Sequence, residues 1–441
     1  MKKHTALKRL FAGMLVAALA FSLVACGGSK IEGPKTDVSI YNSGDGWNTI
    51  NDPLTWDAIN EFDVVHDGMT VEEARQLAVD FFRYAKTAVW IPSDTITYKI
   101  KASKPNDEYI NGGALYGGLP YISTGSGSIY RLMDYMDETT SVVNADKAAA
   151  EPILFGNQCS NGSYWGFGRV INSVKFDYTR YLTLKSGLLK VGDYEYDESV
   201  EVYKTGTYDT STVLITNGPE RMYECYALLL PGDLIVYYRN DAGHAVMISE
   251  EAHVERNADG TINPDRSYVT VIDQTAEHDT LTNTAGDTFA YERNVDKQWT
   301  FTYLADHVYV PHTFKEFTGE DPIDSSKSEF SHTGATITLD QLYSSSVTSN
   351  YGISDVYASF YSDSGVEIYK VVTRADRVCR NEVAFVRPGT SKTVDDTYTV
   401  NVTDEWGKAE YLGMDGKITV KVYAQLSTGE RPVLWEGELA K

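Results

Sequence analysis

The chain has 441 residues, 42% of them hydrophobic and 12% aromatic, which is enough for two or three domains with packed cores. Its 62 acidic residues against 39 Lys and Arg give a formal charge of −23. That surplus excludes nucleic acid as a partner, and it equally excludes adhesion to anionic polymers through bulk charge. A ligand must then be held by a shaped site.

In chain order, the first residues read as an export signal. Lys2, Lys3, Lys8 and Arg9 form a basic head, and residues 10–25 are an almost unbroken apolar run. The run is shorter than the roughly 20 apolar residues that a spanning helix needs. Leu23-Val24-Ala25-Cys26 matches the processing site of bacterial lipoproteins. Residues 1–25 are therefore expected to be a signal peptide, and Cys26 to carry the lipid that anchors the chain to a membrane outside the cytoplasm. Residues 26–65 read as a tether and N-terminal extension, rich in Gly, Ser, Asn and Asp up to about residue 50.

Thr70-Val71-Glu72-Glu73 is a capping-box pattern. Ala74, Leu77, Ala78, Phe81, Phe82 and Ala85 then recur at helical spacing, which predicts an amphipathic helix over 69–88. Gly117-Gly118-Leu119-Pro120-Tyr121 follows in text rich in Gly. A second helix is predicted from near Ser160 to Val174, and an acidic, Tyr-rich insertion near 185–220. Strands are predicted at 234–238, 245–248 and 269–272. Asn257-Ala258-Asp259-Gly260 resembles half a calcium loop, but the later acidic ligand is absent, so it reads as a plain turn. Residues 318–330 read as a linker. Beyond it the hydrophobic period is 2, and seven short strands over 331–441 predict an immunoglobulin-like sandwich. With no clustered Cys, His or acid there, that part is expected to be separable from any chemistry.

Four cysteines occur, at 26, 159, 225 and 379. With Cys26 given to lipid, Cys225 and Cys379 read as buried small hydrophobes; a disulfide between them would have to join separate domains. Cys159 stands where a helix begins. The free N–H groups and the dipole of a helix start favour a thiolate, and with a polar side chain such as Asn157 or Gln158 they can receive an oxyanion. His244 opens a strand after the Gly243 turn, and Asp273 and Gln274 end the following strand. A polar side chain there can hold the imidazole. Asp273 and Gln274 face opposite ways on a strand, so only one can serve. The sequence leaves both open and leans to Gln274.

Cysteine at a helix start, histidine on a strand and a polar residue one strand later resembles the NlpC-type papain-like endopeptidases of bacterial cell walls. The motifs that carry the resemblance are the helix at 69–88, Gly118-Leu119-Pro120-Tyr121, Gln158-Cys159-Ser160-Asn161, Pro231-Gly232-Asp233-Leu234, Gly243-His244 and Asp273-Gln274. It covers about 66–312. Gln158 and Asn161 stand where the family has Asp and Gly, and the Cys-to-His stretch is long. The resemblance implies an α+β papain-like domain over 66–317, with Cys159 as nucleophile, His244 as base, and Asn157, Gln158, Tyr121 and Ser160 about the cleft. It implies hydrolysis of amide bonds in peptidoglycan peptides, without a cofactor. A second register aligns Tyr164 with the papain nucleophile and would make an inactive binding protein. An amidase or acyltransferase using the same groups on another secreted substrate is a third reading. The chain has no His-Glu-x-x-His, no Gly-x-Ser-x-Gly and no phosphate loop, and its eight histidines are scattered, so no metal site is expected.

Overall fold

The computed structural model describes residues 54–440, apart from 102–106, 124, 138–141, 151–154, 173–187, 196–208, 240–241, 283–287, 293–294, 376–378, 396–397 and 414. The signal peptide, Cys26, the tether to residue 53 and much of the 185–220 insertion lie outside the described residues. The architecture is mixed α and β with several sheets, and it is mostly β after residue 328.

Helix α1 (Trp56–Asn60) is capped by Thr55, whose hydroxyl accepts from Ala58 N at 3.1 Å. Helix α2 (Val71–Thr87) begins at the capping box: Thr70 Oγ1 accepts from Glu73 N at 3.2 Å, and the Glu73 carboxylate accepts from Thr70 N at 2.8 Å. Its buried face carries Ala74, Leu77, Ala78, Phe81 and Phe82, the residues whose spacing predicts it. Helix α3 (Ile129–Met133) follows, and then α4 (Cys159–Phe167), every residue of which is buried.

Helix α4 is shorter than the predicted 160–174, ending where Gly168 N donates to Tyr164 O at 2.6 Å. Two interior glycines in nine residues cost helix stability, about 1 kcal/mol each relative to alanine. Packing overrides that cost. A Cβ on Gly166 would stand 2.8 Å from Phe82 Cβ on α2, so the glycine lets the two helices close on each other.

Below α4 lies an antiparallel six-stranded sheet: β1 (Leu188–Lys190), β2 (Leu234–Arg239), β3 (Ala242–Ile248), β4 (Tyr268–Ile272), β5 (Lys297–Thr300) and β6 (Val310–Phe314). The spatial order is β5-β4-β3-β2-β6-β1. Leu234, Ile235, Val236 and Ala245 through Ile248 are consecutive buried residues, so this sheet is covered on both faces there. A second, mixed sheet is built on Val89–Pro92, which pairs antiparallel with Tyr116–Gly117 and parallel with Val142–Val143.

The C-terminal strands form one hydrogen-bonded network rather than two separate sheets. Its spine is β7 (Ser346–Tyr361), flanked by β8 (Glu367–Ala375) and β10 (Thr419–Leu426), with β9 (Tyr398–Gly407) beyond β8 and β11 (Val433–Leu439) beyond β10. The first part of β7 pairs instead with Ser328–Phe330 and Arg380–Ala384. Each of the seven predicted strands has a counterpart here, and Ser328–Phe330 and Ser391–Asp395 add to them.

Residues 318–330 are not a free connector. Tyr351 Oη donates to Asp324 O at 2.8 Å, the Asn350 amide donates to Ser325 O at 3.1 Å, and Ser328–Phe330 is itself a strand. A buried charge cluster joins the two parts. Asp355 on β7 pairs with Arg131 on α3 at 3.3 Å and with Arg374 on β8 at 3.0 Å, and Arg374 also reaches Asp134 at 2.9 Å. Tyr351 packs into the core of the first part, and Ser427 Oγ donates to Gly168 O at the end of α4.

Candidate active site

The chain is fixed before it enters α4. Asn157 N donates to Pro120 O at 3.0 Å, and Ile122 N donates to Asn157 O at 2.9 Å. The Leu119–Ile122 segment thus straps the residue two places before Cys159, and Gln158 is the N-cap with extended backbone and no side-chain capping bond. Cys159 is the first helical residue. One turn later Ser163 Oγ donates to Cys159 O at 3.1 Å and contacts Ala245 O at 3.4 Å, which seats the helix start on β3.

From β3 comes His244. The β2–β3 hairpin pairs it with Tyr237. Its Nε2 lies 2.5 Å from Asp273 Oδ2, and Asp273, just past the end of β4, is fully buried. With Nε2 taken, Nδ1 is the nitrogen left to face the Cys159 thiol, and each group favours the charged form of the other. The thiol also lies 4.0 Å from Gly243 O.

Burial opposes a charged thiolate at Cys159. The hydrogen bond and positive charge of His244, with the backbone N–H groups of Ala245 and Ser160, outweigh it and hold the thiol below its ordinary value of 9.0. Burial likewise opposes a charged His244, but the adjacent Asp273 carboxylate, and then the Cys159 thiolate, raise the imidazole well above its ordinary 6.5. The two shifts describe one thiolate–imidazolium pair. Cys225 and Cys379 behave otherwise: burial pushes them up to about 11 and about 12, and neither is in a disulfide.

The lean to Gln274 as the third residue is corrected. Its amide turns away from His244, accepting from Lys86 Nζ at 2.6 Å and donating to Leu119 O at 2.8 Å. Register decides the matter. Ile272 lies opposite Met247, so the next residue, Asp273, falls on the face shared by Val246 and His244. The inactive register through Tyr164 also meets a different geometry. Tyr164 is buried, and its hydroxyl interacts with Cys379 and Ser427 in the C-terminal part.

The remaining expected residues gather at the helix start. Asn157 is buried, and its Oδ1 has no partner among the described residues. Gln158 is half-buried, Ser160 is buried behind Cys159, and Tyr121 is half-buried in the strapping segment. Asp233 of the Pro-Gly-Asp-Leu motif stays out of the chemistry. It is buried and takes Arg75 of α2 at 2.8 Å, tying that helix to the turn before β2.

Sequence reasoning missed the wall beside the histidine. A cleft of about 550 Å³ opens against His244 and Asp273, walled by Tyr237, Trp299, Tyr303 and Tyr309. Tyr237 packs edge-on to Tyr309 with ring centroids 5.1 Å apart. Only the hairpin pairing of Tyr237 with His244 was a usable signal; the other three are lost among 31 tyrosines and 7 tryptophans. His312 is buried at the β2–β6 junction, where burial lowers it to about 4, and His307 stacks on Tyr303. Among the described residues no group of three His, Cys, Asp or Glu is placed to hold a metal, and no helix is long and apolar enough to cross a membrane.

The chain matches no protein-family model, no curated protein and no solved structure.

Proposed function

We propose that this chain is a papain-like cysteine hydrolase, anchored outside the cytoplasm through lipid on Cys26, that cleaves amide bonds in peptidoglycan peptides. The observation that carries the reading is the succession Cys159, His244, Asp273, with the thiol at a helix start and the imidazole held by a buried carboxylate. In this reading residues 66–317 are the papain-like domain and the β-rich C-terminal part is an immunoglobulin-like module. The wall-peptide assignment rests on the sequence motifs.

The chemistry follows from the charges. The Cys159 thiolate attacks the scissile carbonyl carbon, and the carbonyl π electrons move to oxygen. The oxyanion would be received at the start of α4, where the helix dipole favours negative charge, with the Gln158 amide as the side-chain donor. As the tetrahedral intermediate collapses, the His244 imidazolium gives its Nδ1 proton to the leaving amine, and a thioester remains on Cys159. The neutral imidazole then takes a proton from water, hydroxide attacks the thioester, and collapse expels the Cys159 thiolate beside the imidazolium as the carboxylic acid leaves, which restores the ion pair. Asp273 keeps the ring oriented and stabilises its charge throughout.

Purified wall peptides incubated with the mature protein should yield new amine and carboxyl termini, and Cys159→Ala should yield none. Equal cleavage by that variant, or no cleavage by a wild-type protein whose thiol is shown to be reactive, would overturn the substrate reading.

A further inference from the structure

Gln274 lies next to the carboxylate that holds His244, yet it faces the other way and its amide is fully engaged. It is 1% exposed, and so is Lys86, the buried lysine in the last turn of α2 from which it accepts at 2.6 Å. At its other end it donates to Leu119 O at 2.8 Å. Leu119 opens the segment whose neighbours Pro120 and Ile122 bond both backbone groups of Asn157. The stem of Gln274 also presses on α4: a Cβ on Gly162, three residues past Cys159, would come within 2.8 Å of Gln274 Cβ. Three things that fix the start of the cysteine helix therefore meet on one side chain: the end of α2, the strap that holds Asn157, and the helix itself.

We infer that Gln274 is a positioning residue that sets the cysteine-bearing half of the dyad, while its neighbour Asp273 sets the histidine-bearing half. The inference rests on the functional reading above. One dipeptide at the end of β4 then controls the separation of thiol and imidazole from both sides, because consecutive residues of an extended chain face opposite ways. The chemistry of the position requires an amide. It must offer an acceptor to a buried ammonium and a donor to a backbone carbonyl at once. Glutamate keeps the acceptor but sets a carboxylate against the Leu119 carbonyl, which breaks the strap while leaving Lys86 satisfied. Asparagine keeps both functions on a stem one methylene shorter and draws the strap inward.

The test reads Cys159, not stability. Mature wild-type protein, Q274E and Q274N are labelled with iodoacetamide between about pH 5 and 9, the label on Cys159 is quantified by peptide mapping, and each protein is melted in parallel. The expected result is a folded Q274E in which Cys159 labelling at pH 6 falls at least about tenfold and its midpoint moves toward the ordinary thiol range, with Q274N between it and wild type. If Q274E does not fold, Q274N alone must show the shift. A labelling profile that stays on the wild-type curve, whatever happens to the melting temperature, makes Gln274 a packing residue only and overturns the inference. An inert Cys159 in the wild type instead sinks the dyad, and the inference with it.

Discussion

At the residue scale the site turns on two neighbouring groups, the Cys159 thiol and the His244 imidazole. Cys159 is held below its ordinary value and His244 above its own, the two directions that a thiolate–imidazolium pair requires. For the proposed hydrolase, protonation of the thiolate should set the acid limb of kcat/KM and loss of the imidazolium proton the alkaline limb. Asp273→Asn removes the charge that raises His244, so the alkaline limb should move to lower pH, and kcat should fall by about 10²–10⁴-fold, the range of acid–base contributions. A pH–rate profile of the variant checks both; an unmoved alkaline limb would mean that Asp273 does not act through His244. The cysteine and the histidine could be singled out because a cysteine at a helix start and a Gly-His pair near a strand start are local patterns. The third residue was not. Asp273 and Gln274 are equally polar neighbours, and only the pairing of Ile272 with Met247, a fact about two strands, says which one faces the imidazole.

At the element scale, α2 was legible from its capping box and its apolar spacing, both of which are properties of a single segment. Helix α4 was legible at its start but not at its end. Its interior glycines, unfavourable in an isolated helix, are contact points against α2 and β3. Gly166→Ala should destabilise the protein by about 1–3 kcal/mol, the usual cost of overpacking, because its Cβ would meet Phe82 Cβ at 2.8 Å and Met247 Cε at 2.6 Å. Denaturant unfolding measures this; a stability equal to wild type would show that α4 shifts freely. In the C-terminal part alternation revealed the second half of β7 but not its first. Residues 346–355, Ser-Val-Thr-Ser-Asn-Tyr-Gly-Ile-Ser-Asp, carry too many small polar side chains to show a hydrophobic period, although Val347, Ser349, Tyr351 and Ile353 are buried in alternation and the segment pairs with two further strands.

At the scale of the whole molecule, the seam between the two parts is the feature that the sequence concealed. Arg131 and Asp355 are 224 residues apart and meet with almost no exposure. Composition made 318–330 look like a flexible linker and the C-terminal strands look separable, yet Asp324, Ser325 and the strand Ser328–Phe330 are bonded to β7 and the seam is a buried charge cluster. Asp355→Asn leaves two buried guanidiniums short of their shared carboxylate and should cost about 3–5 kcal/mol, read as a lower denaturant midpoint. A loss under about 1 kcal/mol would mean that solvent reaches the seam. Burial opposes charge at Asp355, but Arg131 and Arg374 hold the carboxyl below its ordinary 3.8. Its contribution is therefore complete above that value and is lost as pH falls through the lowered one. Truncation at residue 317 should for the same reason leave Arg131 buried without Asp355 and abolish soluble folding; a soluble, cooperatively melting 54–317 fragment would contradict this.

The central claim is the thiolate–imidazolium pair, and the most direct measurement is the rate at which iodoacetamide labels each thiol of the folded mature protein as a function of pH, in wild type and in His244→Ala. Cys159 should be labelled first, with reactivity persisting to about pH 6, while Cys225 and Cys379 stay inert, and His244→Ala should return Cys159 to alkaline reactivity. A Cys159 that resists labelling as Cys225 does, in both proteins, would contradict it.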